Sequence, residues 1–95
     1  MKIIETKDYE IWFDSLTAKN QAQVMKRLRK IQTDTHFGDT KNLSNGLFEL
    51  RWKNGWRVYF IRISSGIILL VGGHKNEQEK NIKKARITIH RYTYN

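Results

Sequence analysis

The chain has 95 residues, with 18 Lys and Arg against nine Asp and Glu, for a formal net charge of +9 at pH 7. That length fits one domain, and 39% hydrophobic with 28% charged residues is the composition of a globular chain. The absence of cysteine excludes a disulfide scaffold, a cysteine-based zinc site and a thiol nucleophile.

Residues 2–5 are short and partly apolar, a candidate first strand. Tyr9, Trp12, Phe13 and Leu16 then fall at i, i+3, i+4 and i+7, one stripe of a helix over residues 9–16. Thr17 is placed to cap a second helix reaching about residue 35, with Val24, Met25, Leu28 and Ile31 on its apolar side. The two helices read as a hairpin whose stripes need a sheet to cover them. Phe37-Gly38-Asp39 ends this region, and residues 42–46 are rich in turn formers.

From residue 47 the period changes to two. Phe48, Leu50 and Trp52 alternate with Glu49 and Arg51, and Trp56, Val58 and Phe60 alternate with Arg57 and Tyr59. A two-residue Asn54-Gly55 turn would mix these faces. A three-residue loop, Lys53-Asn54-Gly55, pairs Leu50 with Val58 and Phe48 with Phe60 and keeps one face apolar, so the three-residue loop is predicted. That register sets Arg51 opposite Arg57 on the polar face, read here as solvated, where losing Arg57 is expected to leave stability nearly unchanged. Like charges paired across strands repel. Either an anion sits between them, or they are a solvated pair with Glu49 as counter-charge.

Ser64-Ser65-Gly66 is a further turn, and Ile67-Ile68-Leu69-Leu70-Val71, apolar on both faces, is a central strand ending at Gly72-Gly73-His74-Lys75. Residues 77–89 form a basic third helix with Ile82, Ala85, Arg86 and Ile89 along one side, and residues 91–95 a polar tail carrying Tyr92 and Tyr94. The five residues of the longest apolar run fall far short of the ~20 a membrane helix needs, and residues 1–5 lack the apolar stretch of a signal peptide. A soluble, cytoplasmic protein is expected. The fold class is α+β, a helical hairpin packed on a small, twisted, mostly antiparallel sheet with a C-terminal helix.

Charge is uneven along the chain. Residues 1–45 carry eight basic and six acidic side chains, residues 46–95 ten and three. A strongly basic half points to a polyanion, most often nucleic acid. No Gly-rich phosphate loop, paired metal-ligand histidines or nucleophile elbow is present, and His36, His74 and His90 are scattered.

Tyr9-x-x-Trp12-Phe13-x-x-Leu16, Phe37-Gly38-Asp39, Gly46-Leu47-Phe48-Glu49-Leu50-Arg51, Trp56-Arg57-Val58-Tyr59-Phe60, Leu70-Val71-Gly72-Gly73-His74-Lys75 and Ile82-Lys83-Lys84-Ala85 occur in this order. Together they resemble the small addiction module killer proteins, the HigB-like branch of the RelE/ParE toxin superfamily, over about residues 9–86. The resemblance implies the fold above, a HigA-like helix-turn-helix antitoxin as partner, and a metal-independent, cofactor-free endoribonuclease that cuts messenger RNA in the ribosomal A site. In that chemistry the 2′-hydroxyl attacks the adjacent phosphate. It needs a proton acceptor, a cation for the pentacoordinate phosphate, and an acid for the leaving 5′-oxygen.

By the same resemblance Arg51 and Arg57 neutralise phosphate, and Lys75, ahead of Lys53, binds phosphate or donates a proton. Tyr59 either stacks on a base or shares in proton transfer, or is structural. His74 either titrates in the reaction or caps a turn. Lys26, Arg27, Lys30, Lys83, Lys84 and Arg86 are RNA-binding candidates, a solvated surface, or a surface for an acidic antitoxin segment. Tyr92 and Tyr94 reach RNA or fray with the tail. Two other readings stay open: a gyrase poison of the ParE branch, and a non-catalytic basic binding protein or inactive relic.

Overall fold

The threonines set the helix starts. Thr6 accepts from the Tyr9 amide through its hydroxyl oxygen, and the same hydroxyl donates to the Leu70 carbonyl at 2.8 Å, so the cap of the first helix is also its anchor to the sheet. Thr17 caps the second helix by accepting from the Asn20 amide, and Thr35 closes it in the left-handed region. The computed structural model describes residues 1–93. In order it contains β1 (Lys2–Glu5), α1 (Lys7–Asp14), α2 (Ala18–Asp34), β2 (Thr40–Asn42), β3 (Leu47–Arg51), β4 (Trp56–Ile63), β5 (Gly66–His74), a 3₁₀ turn (Lys75–Glu77) and α3 (Gln78–Thr93).

The strands form one sheet in the order β1-β5-β4-β3-β2, antiparallel except for the β1–β5 pair. The expected α+β architecture is observed, with the helices α1 and α2 on one face. The β3–β4 register is the predicted one: Phe48↔Phe60, Leu50↔Val58 and Arg51↔Arg57. Between Tyr59↔Val71 and Phe60↔Leu69 the register slips, so Leu70 forms a bulge and joins Val71 on the same side of the sheet.

Two elements depart from expectation. β2 lies in a stretch read as the approach to a turn. Its three polar residues carry no alternating signal, and it exists because β3 offers an open edge and because Arg27 holds the incoming chain. The C-terminal tail is helical through residue 93, so Tyr92 sits on α3; Tyr94 lies outside the described residues.

The larger correction concerns the second face of the sheet. Tyr9, Val24, Leu28 and Ile31 from the two N-terminal helices cover Leu50, Val58, Phe60, Ile67 and Leu69. Opposite them α3 lays Ala85, with Ile82 and Ile89 beside it, over Leu47, Tyr59, Ile61, Ile68, Leu70 and Val71. A β5 apolar on both faces demands cover on both. The face carrying Glu49, Arg57 and Tyr59 is therefore largely enclosed.

Candidate functional site

The β3–β4 loop is Lys53-Asn54-Gly55, with Gly55 at φ +105°. A side chain there would overlap the His74 imidazole, so only glycine lets the hairpin tip close onto the end of β5. The closure is bonded: the Lys75 amide donates to the Gly55 carbonyl at 2.8 Å, and the Asn54 side-chain amide donates to Gln23 Oε1 on α2 at 2.8 Å. Lys53 and Lys75 are exposed at this end of the sheet, and His74 is half-buried between them and the core. The imidazole packs edge-on to Trp56 at 5.5 Å, and its Nδ1 accepts from the Asn76 amide at 3.4 Å. His74 thus caps the 3₁₀ turn, the structural alternative, while its other nitrogen faces the hairpin tip.

Arg51 and Arg57 are cross-strand partners, and the next residue in the row is Gly73 of β5. Arg57 is 9% exposed, a correction to its placement on a solvated face. Its Nη1 donates to the carbonyls of Trp52 and Trp56, both at 2.9 Å, and so braces the two ends of the hairpin loop. The Arg51 side chain is 36% exposed, and its Nε lies 3.5 Å from Glu49 Oε1. Glu49 is wholly buried. Its Oε2 accepts from the Tyr59 hydroxyl at 2.9 Å and from Gln78 Nε2, at the start of α3, at 2.8 Å. Tyr59 is also fully buried, so it has no face free to stack on a base, and its structural alternative holds.

Burial, and then the Glu49 carboxylate, push the Tyr59 hydroxyl above its ordinary 10.0, and burial does the same to Tyr9. In the unfolded chain both ionise near 10, so above that pH the folded state binds more protons. The stability these neutral hydroxyls provide is complete below pH 10 and falls as pH rises further. In a variant with Tyr92 and Tyr94 replaced by phenylalanine, alkaline unfolding followed by circular dichroism should therefore coincide with the appearance of tyrosinate absorbance. Ionisation of both hydroxyls well before loss of ellipticity would contradict these placements.

Of the remaining basic candidates, Arg27 is a structural brace. Its guanidinium donates to the carbonyls of Phe37, Asp39 and Arg51 and stacks over the Trp52 ring at 4.8 Å. Burial lowers its pKa, opposed by Asp39. Arg86 donates to the Leu43 carbonyl. Lys26 and Lys30 are exposed and rim a groove of about 240 Å³ over Trp52, beside the hairpin tip. Lys83 and Lys84 are exposed on α3 and line a different cleft with Lys80 and Ile87. The structure thus gathers Arg51, Arg57, Lys53, His74 and Lys75 at one end of the sheet, with Lys26 and Lys30 at its flank and the α3 lysines apart.

Sequence reasoning treated Glu49 as no more than a counter-charge and passed over Gln78 and Asn81. Asn81 shares a helical stripe with Ala85 and Thr88, and all three are buried, but its polar character hid it from a search for apolar periodicity.

A profile of the family described as "Phage derived protein Gp49-like (DUF891)" matches residues 11–93. An uncharacterized protein of Haemophilus influenzae is 35% identical over 92 residues, spanning 92% of this chain and 91% of the relative. Among solved structures, a mutant of the E. coli toxin RelE in the free state superposes with a TM-score of 0.71 at 12% identity, covering 92% of this chain and 95% of RelE. A RelB–RelE antitoxin–toxin complex from Methanococcus jannaschii gives 0.67 at 11% identity, covering 81% and 95%.

Proposed function

The chain belongs to the phage-derived Gp49-like family and has the RelE toxin fold, and from that premise we propose that it is the toxin of a toxin–antitoxin pair, acting as a ribosome-dependent messenger RNA endoribonuclease of the HigB-like kind. The observation that carries this reading is the facing Arg51–Arg57 pair, set beside Lys75 and Lys53 where the hairpin tip meets β5. Cross-strand arginines repel, the Glu49 carboxylate lies against Arg51 rather than Arg57, and a phosphodiester would supply a further anion for the pair.

The reaction follows from the groups available. The 2′-oxygen attacks the adjacent phosphorus, the bond to the 5′-oxygen breaks, and a 2′,3′-cyclic phosphate and a 5′-hydroxyl result. Arg51 and Arg57 bind the non-bridging oxygens and stabilise the added charge of the pentacoordinate state, the largest expected contribution. Lys75, exposed at the same end of the sheet, protonates the leaving 5′-oxygen, and His74 caps the turn that carries it. Glu49 orients Arg51 and touches no substrate. Lys26 and Lys30 lie where flanking nucleic acid would run.

The RelE-type complexes contain an antitoxin, and a HigA-like helix-turn-helix protein is the proposed partner here. The test is a purified translation reaction on a defined message, with and without ribosomes, with new RNA ends mapped by primer extension. Cuts at A-site codons only when ribosomes are present are expected. An intact message under both conditions overturns the reading.

A further inference from the structure

Four buried side-chain atoms among the described residues have no hydrogen-bond partner: Glu49 Oε1, Arg51 Nε, Arg57 Nε and Asn81 Nδ2. Buried polar groups are almost always paired, so each orphan calls for a cause. All four lie on one face of the sheet. Arg51, Arg57 and Gly73 are consecutive across three strands, and a Cβ on Gly73 would overlap Asn81 Nδ2. The Asn81 amide, delivered by α3, thus occupies the position of the side chain that Gly73 lacks, one strand from Arg57.

We infer that Asn81 is a third donor of the phosphate site, an uncharged one, which with Arg51 and Arg57 receives the oxygens of a phosphodiester. The inference rests on the function proposed above and adds a residue to it. Arg57 Nε and Asn81 Nδ2, donors without internal acceptors on neighbouring positions, together with the Arg51 guanidinium, whose Nε lies against Glu49, match the several oxygens of a tetrahedral anion. Asn81 is 8% exposed and Arg57 9%, so both form the back of the site, and the part-exposed Arg51 is where it meets solvent. Glu49 also faces this side, but its Oε2 is engaged by Tyr59 and Gln78 and its Oε1 lies against Arg51, so its charge is directed at the guanidinium.

A donor kept for a ligand and a donor kept for the fold respond differently to removal. Asn81→Ala deletes an atom with no internal partner, so its melting temperature should equal or exceed that of the wild type. Affinity for a fully 2′-O-methylated oligoribonucleotide, which cannot be cut, should fall roughly tenfold or more, the usual effect of losing a hydrogen bond to a charged group. The slope of log affinity against log salt should not change, because no charge has been lost. Asn81→Asp should weaken binding further. Inorganic phosphate should raise the melting temperature of the wild type above that in chloride of equal ionic strength, and raise that of Asn81→Ala less.

Wild-type affinity in Asn81→Ala, or loss of thermal stability in that variant, overturns the inference. So does a wild-type protein that binds neither the oligonucleotide nor phosphate. A variant that binds the oligonucleotide weakly yet is stabilised by phosphate as fully as the wild type also overturns it, since Asn81 would then contact some other part of the RNA. Wild-type protein that binds the uncleavable RNA through Asn81 but leaves messages intact on the ribosome sinks the ribonuclease reading and leaves this one standing.

Discussion

Arg57→Ala is expected to cut messenger RNA ~10²–10³-fold more slowly than the wild type, the effect of removing one preorganised group that stabilises transition-state charge. It should also be less stable by about 1–3 kcal/mol. The second effect follows from burial. Nη1 bonds the carbonyls of Trp52 and Trp56, the residues that bracket the hairpin loop, so the side chain holds the loop in addition to its proposed role at the phosphate. Those carbonyls also accept from the Gly55 and Trp52 amides, which keeps the loss moderate. Arg57→Lys separates the two roles: one ammonium can replace Nη1 at both carbonyls, but it has no second nitrogen to present to the ligand. Urea unfolding and a ribosome-dependent cleavage assay check both effects. Unfolding of Arg57→Ala at the wild-type urea concentration would show that the guanidinium does not brace the hairpin.

Phe60→Ala should have the largest effect on stability, about 3–5 kcal/mol. Phe60 is wholly buried, and its ring lies nearly parallel to those of Phe37 at 5.5 Å and Phe48 at 5.4 Å. Arg62 lies over the outer two rings at 4.5 Å and 5.1 Å. Truncating the middle ring removes both stacking contacts and leaves a void between elements that α2, β3 and β4 hold apart, so collapse is incomplete. For a domain whose whole stability is on the order of 5–15 kcal/mol, the variant should be largely unfolded in mild denaturant. A loss below about 1 kcal/mol would contradict the three-ring stack.

The hairpin register was legible because its argument was binary. One loop length set Trp52 against Arg57 and Arg51 against Val58, mixing the faces, and the other did not. The cap of α2 was legible from Thr17 alone, whereas Thr6 gave no such signal ahead of α1. The second cover of the sheet was within reach of the same logic, since Ile67 to Val71 is apolar on both sides while the paired helices can occupy only one, yet the alternation of Glu49, Arg51 and Arg57 suggested water. Alternation records which side chains share a face; it does not record whether that face is wet. Arg57 was therefore placed opposite the correct partner but in the wrong environment. The bulge at Leu70 and the strand β2 leave no periodic trace, because one depends on where a single residue is left unpaired and the other on an edge that becomes available only after β3 and β4 meet. Asn81 comes to lie beside Arg57 through a glycine on another strand, a relation between residues 73 and 81 that exists only once α3 has docked.

The parallel β1–β5 pair bears on the order in which the chain becomes a finished protein. β1 comprises Lys2–Glu5, but its partner begins at Gly66, so β1 waits for about sixty further residues to be made before it can pair. At synthesis rates of roughly 5–20 residues per second that interval is ~3–12 s. The groups proposed to act on RNA come later still, from β3, β4, the end of β5 and α3. A nascent chain thus cannot assemble the proposed site until β5 and α3 have been made.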